Sequence, residues 1–348
     1  MRTVNHQFKD FVPDYIISIL HKIEHHGFEV FIVGGAVRDL LMGRVPIEYD
    51  LATNATPSQI CDLFNEISTQ GIQFGTVMVH YEGRAIEITT YREESVYDDH
   101  RHPDVVTFVN DILVDLKRRD FTINAMAYQP LSGQLIDPYD GQLHLQERRL
   151  VCVGSPNHRF TEDSLRVFRC FRFMAQFGFT LDGTIVECLP LLPPLPLPTM
   201  PRIRQEMDRL LMGKYWGSAL AWMSKINWLL PWFESDTQWS APTLKLDVLY
   251  RWAWLLSQGD FEVLSQKFQF SKKDIRFMSL ILEWEFDSLA IELSVTDLKV
   301  SATDLQAMGF SGPALGQIQQ TLLYQVRSKQ LNNQPNELIQ FIQQLQME

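Results

Sequence analysis

At 348 residues, 45% of them apolar and with mixed charge, the chain has the composition of a globular protein of two or more domains and is too long for one compact core. Lysine and arginine total 31 against 42 aspartates and glutamates, a net charge of −11 that argues against non-specific coating of nucleic acid but permits a local basic surface. No apolar run approaches the ~20 residues needed to cross a bilayer, and residues 1–6 lack the apolar core of a secretory leader, so neither membrane nor export is expected. Cys61, Cys152, Cys170 and Cys188 show no CxxC or Cys/His metal spacing, which points to reduced thiols in the cytoplasm.

In chain order, Pro13–His26 has a helical pattern closed by Gly27, and Phe28–Val33 reads as a strand. The strand ends in Gly34-Gly35, where backbone N–H groups can approach a phosphate that a Cβ would fend off. A short helical segment with Arg38-Asp39 follows. Then come Glu48 and Asp50, which in a strand would share a face and aim both carboxylates at one spot. Either feature alone is a tight turn or a solvated strand end; together they are equipment for metal-assisted phosphoryl or nucleotidyl transfer. Thr56-Pro57 opens a helix expected to run through Ile67. Phe74–Tyr81 and Arg84–Tyr91 form a hairpin around Glu82-Gly83 and carry a third acid, Glu87, alternating against Ile86 and Ile88. Arg92–Pro103 is charged and aperiodic, hence a loop. Asp120–Tyr128 reads as a helix and Leu135–Asp137 as a strand entering a turn.

Beyond Thr161 the strand signals fade. Glu162–Phe177 has apolar residues every three positions and closes at Gly178, so Asp163, Arg166 and Arg169 are read on one helix, with Arg172 drifting off the face of Asp163. Six prolines between Leu189 and Pro201 mark a kink or linker. Residues 202–348 are amphipathic helices whose tryptophans are read as core rather than as base-stacking platforms.

Taken in order, these motifs resemble those of the class II CCA-adding enzymes, tRNA nucleotidyltransferases of the polymerase-β superfamily. Gly34–Asp39 is similar to the family's first motif and Glu48-x-Asp50 to its metal pair. Phe74-Gly75-Thr76 and Glu87–Arg92 match the following strands, Arg118–Ala127 the ribose-recognising motif, and Asp137-Pro138-x-x-Gly141 the hinge. Glu162-Asp163-x-x-Arg166-x-x-Arg169 is similar to the amino-acid template for the incoming base, and Arg202–Glu206 to the last motif. The implied fold is an α/β nucleotidyltransferase-like head with a mixed sheet (residues 1–143), followed by an all-α neck (144–205) and a helical body and tail (206–348) that binds tRNA.

The resemblance implies template-independent addition of C, C and A to tRNA 3′ ends from CTP and ATP. Glu48 and Asp50 would hold two Mg²⁺ ions, with Glu87 completing the catalytic triangle. Gly34, Gly35 and Arg38 would hold phosphates, and Arg119, Asp120 and Asn124 would select the ribose. Asp163 would accept from the exocyclic amine of C or A while Arg166 donates to the adjacent ring nitrogen. Arg169 and Arg172 extend the nucleotide set. The segment Asp98, Asp99, His100 and Arg101 is similar to the flexible loop of CCA- and A-adding members, which counts against a CC-only enzyme. The other readings are an A-adding enzyme completing CC ends, a poly(A) polymerase, and a tRNA-binding relative impaired in catalysis. Two positions depart from the family: Glu48 stands where most members have Asp, and Pro201 replaces the usual acid before Arg202.

Overall fold

The computed structural model describes residues 11–95, 105–229, 231–233, 248–283, 295–327 and 330–347. It divides into two compact units, Met1–Ile226 and Asn227–Glu348.

The first unit opens with α1 (Asp14–His25), β1 (Val30–Val33), α2 (Gly35–Leu41), β2 (Asp50–Thr53) and α3 (Pro57–Leu63). Thr56 and Gln59 cap α3 reciprocally, with Pro57 in its first turn, as the sequence predicts. The helix stops at Leu63 rather than Ile67, because Ile67–Ser68 is recruited as an edge strand, β3. β4 (Thr76–Tyr81) and β5 (Arg84–Thr90) make the expected hairpin.

Arg92–Ser95, read as loop, is instead a strand, β6, paired with β7 (Val105–Phe108). A two-stranded ribbon carrying charge on both faces leaves no apolar alternation to detect. After α4 (Ile112–Lys117), the helix expected over Asp120–Tyr128 is absent. Thr122–Asn124 is a 3-10 turn and Ala127–Gln129 is strand β8. The Ala-Met-Ala run favours helix locally, but pairing with β1 on one side and β9 (Gln134–Ile136) on the other overrides that preference.

The seven-stranded sheet has the order β3-β4-β5-β2-β1-β8-β9, with β2 and β5 parallel and the other neighbours antiparallel. Both faces are covered. Val30, Ile32, Leu51 and Ile88 join one core with α1 and α3, and Phe31, Val33 and Ala52 join another with Tyr91, Ile112 and Leu116. Alternation along β1 therefore reads as a continuous apolar run, because each face has its own core.

The helical remainder of this unit comprises α5 (Gly141–Gln146), α6 (Pro156–Glu162), α7 (Leu165–Phe177), α8 (Gly183–Cys188), α9 (Met200–Leu211) and α10 (Trp216–Lys225). A small parallel pair, β10 (Arg149–Leu150) with β11 (Thr180–Leu181), ties the start of this region to the far end of α7. The helix read over Glu162–Phe177 is broken: Asp163 is extended (φ −144°) and Ser164 precedes α7. The apolar period continues across the break because α6 and α7 both pack inward, so periodicity could not reveal it. Pro201 sits in the first turn of α9, where a missing N–H costs nothing, and the boundary expected after Gln205 falls inside this helix.

The second unit holds α11 (Val248–Leu256), α12 (Phe261–Lys267), α13 (Lys272–Glu283), α14 (Ala302–Ala307), α15 (Gly312–Arg327) and α16 (Pro335–Met347). Trp252 is fully buried against Phe268 and Phe270, ring centroids 4.9 and 5.2 Å away. Leu305, Leu322, Leu338 and Ile342 form a separate core at its C-terminal end. No helix among the described residues is long and apolar enough to cross a membrane.

Candidate active site

A cleft of about 1280 Å³ opens within the first unit between the sheet and the helices α7 and α9. Eleven basic and six acidic side chains line it, so the cleft is electropositive although the chain as a whole is acidic.

Its floor is set by strand register. Leu51 of β2 pairs with Ile88 of β5, and both side chains enter the same core. One step back, Asp50 and Glu87 are neighbours on parallel strands and alternate onto the opposite face, into the cleft. Glu48 is not on the strand as expected. β2 begins at Asp50, where pairing with Val33 starts, and Glu48 is exposed in the segment before it. Its charge still reaches the pair. Asp50 is open to solvent on the cleft side, yet burial of its surroundings raises its pKa, with Arg119 opposing and Glu48 adding to the rise. Glu87 is raised by burial and by Asp50, with Arg92 opposing and Glu48 adding again. Burial and neighbouring negative charge thus both favour the protonated forms of Asp50 and Glu87. Among the described residues no three Asp, Glu, His or Cys side chains close tightly enough to hold a metal ion.

Above this floor, Gly34 turns the chain from β1 into α2 with φ +69°, a conformation that disfavours any L side chain. A Cβ there would stand 3.0 Å from Arg119 Nη1 and 3.9 Å from Asp50 Oδ2, filling the space beside the carboxylate. The first-turn N–H groups of α2 have no partners within the helix.

Arg38 lies deeper than a phosphate ligand on the surface would. Its Nε donates to Asp39 Oδ1 at 2.9 Å and its Nη1 to Asn124 Oδ1 at 2.8 Å, while the guanidinium lies 5.4 Å from the ring of Phe173 and 4.9 Å from that of Phe177. Burial lowers its pKa, against the pull of Asp39. Asn124 Nδ2 in turn donates to Asp120 Oδ1 at 3.3 Å, and Arg169 Nε to Asp120 Oδ2 at 2.6 Å. Asp120, expected to face a ribose, therefore has both oxygens engaged within the protein. Burial would raise its pKa, but Arg169, the Phe121 N–H and Arg166 together bring it down to about 2. Arg119 donates Nη2 to Asp115 Oδ2 at 3.1 Å, and its Nε is buried without an acceptor.

Across the cleft, Asp163 Oδ1 accepts from the Leu165 N–H at 3.0 Å and Oδ2 from Arg202 Nη2 at 3.1 Å. Arg202, the residue after the departure at Pro201, thus ties α9 to Asp163. Arg166 is held by Glu162, by the Arg159 carbonyl at 3.1 Å and by the Arg118 carbonyl at 3.3 Å. Because Asp163 lies off α7, the angular drift expected to remove Arg172 does not apply, and Asp163, Arg166, Arg169 and Arg172 all line the cleft. Arg172 contacts Glu206 Oε2 at 2.5 Å and stacks on Phe173 at 4.0 Å; burial lowers its pKa to about 10, with Glu206 opposing. Asp98, Asp99, His100 and Arg101 lie outside the described residues.

The supporting acid Asp115 escaped the sequence reading, and Glu206 entered it only as the end of the last motif, with no partner assigned. Asp115 is fully buried; burial works to raise its pKa, but Arg118 and Arg119 hold it low. Its spacing to them, three and four residues along a helix, was the available signal. Glu206 offers none, since its partners are some thirty residues away (Arg169 Nη1 at 3.9 Å, besides Arg172).

Residues 30–151 match the poly A polymerase head domain family. The chain is similar to the CCA-adding enzyme of Geobacillus thermodenitrificans (strain NG80-2), 39% identical over 250 residues that make up 70% of this chain and 60% of that relative. It is similar to the CCA-adding enzyme of Leuconostoc citreum (strain KM20) at 32% identity, with 94% of this chain and 95% of that relative covered. Among solved structures it is similar to the Bacillus stearothermophilus CCA-adding enzyme in complex with CTP, with a TM-score of 0.62 at 23% identity over 96% of this chain and 97% of that one, a likeness of fold. The match thus spans about 60% of the length of the Geobacillus relative and nearly all of the Leuconostoc one.

Proposed function

The chain belongs to the CCA-adding enzyme family, and on that premise we propose that it adds C, C and A to the 3′ end of tRNA from CTP and ATP, releasing pyrophosphate. The observation that carries this reading is the meeting of Glu48, Asp50 and Glu87 in one cleft with Asp163 and Arg166 on its opposite wall. Polymerase-β-type nucleotidyltransferases use a divalent cation, which we take to be Mg²⁺, held by Glu48 and Asp50. The donor set fits it: hard carboxylate oxygens beside a space that a Cβ at residue 34 would fill. The carboxylates do not close into a cage of their own, which suits an ion that takes substrate phosphates among its ligands. When bound, the metal supplies neutralisation of the triphosphate and acidification of the attacking 3′-hydroxyl.

The protein's own groups bind and orient. The Gly34-Gly35 turn admits the phosphates, and Arg119, held by Asp115 and the Asn124 carbonyl, sets positive charge beside that turn. Asp120 acts by fixing Arg169 and Asn124, and Arg38 by anchoring the phosphate turn to Asn124. Asp163, pinned by Arg202, accepts from the amine that C and A share, and Arg166 donates to the ring nitrogen. U and G present a carbonyl at the amine's position, a mismatch costing about 1–3 kcal/mol when buried. All four cysteines are unpaired thiols, which supports placing the reaction in the cytoplasm.

The test supplies CTP, ATP or both, with Mg²⁺, to tRNA ending at the discriminator base or at CC. Complete CCA synthesis is the expected result. Addition of A only to CC ends would reassign the chain as an A-adding enzyme, long A tails as a poly(A) polymerase, and no incorporation would refute the activity.

A further inference from the structure

The segment from Leu189 to Thr199 joins α8 to α9, and none of it lines the cleft. Its conformation is dictated by proline. After a turn of 3-10 helix at Leu189–Leu191, Leu192 has φ −62° and ψ 135°, and Thr199 has φ −61° and ψ 143°. Both are polyproline II values. Between them Pro193, Pro194, Pro196 and Pro198 hold φ near −65°, and Leu195 and Leu197, each followed by proline, are driven to extended ψ. The segment therefore runs as a left-handed helix of three residues per turn, about 25 Å long.

Burial along it has the same period. Leu192, Leu195 and Pro198 are half-buried, whereas Pro193, Pro194, Pro196 and Leu197 are exposed. One edge of this ridge packs on the protein, and two edges stand clear of the described residues. Leu197 (47% exposed) shares a free edge with Pro194, and Leu191 (81%) stands open just before it. The ridge is also pinned. Leu189 is buried at one end, Ser164 Oγ donates to the Pro196 carbonyl at 2.5 Å, and α9 begins at the other end. It is held in one shape before any partner arrives, which removes much of the ordering cost of association.

The chemistry of the ridge selects what can bind it. No residue from Leu189 to Pro201 is charged, so phosphates and charged protein surfaces find nothing to pair with. Pro193, Pro194, Pro196 and Pro198 have no N–H, so a β-strand cannot pair along it. What remains is apolar rings and leucines on two edges, with carbonyls that accept. Their complement is a groove of aromatic rings whose indole N–H or phenol O–H groups donate to those carbonyls.

We propose that the ridge at 191–198 is a docking site for a partner protein that presents an aromatic-lined groove of the kind that reads polyproline II. The inference stands apart from the nucleotidyltransferase reading, because the ridge lies outside the cleft.

The test titrates full-length protein calorimetrically with isolated SH3, WW and EVH1 domains, three classes that read this conformation through aromatic grooves, at low and high salt. At least one class is expected to bind, with an affinity that changes less than about twofold with salt because no ion pair forms. Pro194→Ala/Leu197→Ala alters only a free edge and should weaken that binding about tenfold or more. Leu113→Ser, which removes a comparably exposed leucine from α4, should leave it unchanged. The unfolding midpoint of the double variant should match wild type, which reports an intact fold. Absence of binding by all three classes, or binding that the double variant leaves unchanged, would overturn the proposal. Wild-type self-association that the double variant abolishes would overturn it in favour of a second copy of the chain.

Discussion

The two units bury different things. In the first, the buried set includes Arg38, Asp115, Asp120, Arg166, Arg172 and Glu206, whereas in the second the charged contribution among described residues is Arg251 alone. Burying charge costs several kcal/mol per ion before any compensation, so a fold does not collect six such groups for stability. In the first unit Arg38, Asp120 and Glu206 belong to a path that runs from Asp39 through Arg38, Asn124, Asp120 and Arg169 to Glu206, joining α2 to α7 and α9. The second unit is held by aromatic packing such as Trp252 on Phe268. The difference teaches where chemistry resides: the ion network orients cleft residues, and the aromatic core only holds its helices together.

The sharpest separation comes from Asp50→Ala, expected to lower nucleotide incorporation by at least about 1,000-fold, roughly 4 kcal/mol of barrier, without loss of folding. Persistent incorporation would remove the metal assignment. Next in size is Trp252→Ala, which should cost about 3–5 kcal/mol in the denaturation of the second unit while leaving nucleotide selectivity intact. Altered C/A selectivity in that variant would break the contrast between the units.

Asp120→Asn should destabilise the first unit by about 3 kcal/mol, the lower end for a buried pair, since a third of the Arg169 side chain remains open to the cleft. The pH dependence has a definite sign. A carboxylate depressed to about 2 stabilises the fold fully above its unfolded value near 4, and that stability is lost as pH falls through about 2. Acid unfolding curves of wild type and Asp120→Asn should therefore converge in that window. Arg166→Ala should weaken rejection of UTP and GTP by about 10- to 100-fold and raise KM for CTP and ATP; unchanged rejection would refute base selection. The smallest effect is expected from Glu48→Asp, a few-fold change in Mg²⁺ dependence, because the carboxylate shifts by about 1 Å while Asp50 is untouched. Overlapping Mg²⁺ titrations would show that Glu48 does not touch the ion.

Several parts of this arrangement were legible in the chain itself. Strand β1, the turn at Gly34, the capped start of α3 and the β4–β5 hairpin follow from apolar runs and turn chemistry, which act within a few residues. Asp50 and Glu87 were identifiable as cleft residues because strand alternation is local. The interruption at Asp163 was not, since α6 and α7 bury a continuous apolar face across it. Nor was β8, where sheet pairing overrode an Ala-Met-Ala run that reads as helix.

By itself, then, the sequence determined which turns, strands and capped helices this chain forms around its glycine pair and its acids, and in what order, because turn, strand and cap preferences are short-range. Only the tertiary structure decided which of them face the cleft and which support from behind. Asp120 turns inward to Arg169, Arg202 reaches 39 residues back to Asp163, and Arg44 lies over the ring of Phe177 on α7. Those pairings depend on how helices dock against a sheet, a long-range balance of burial and charge that no local pattern records.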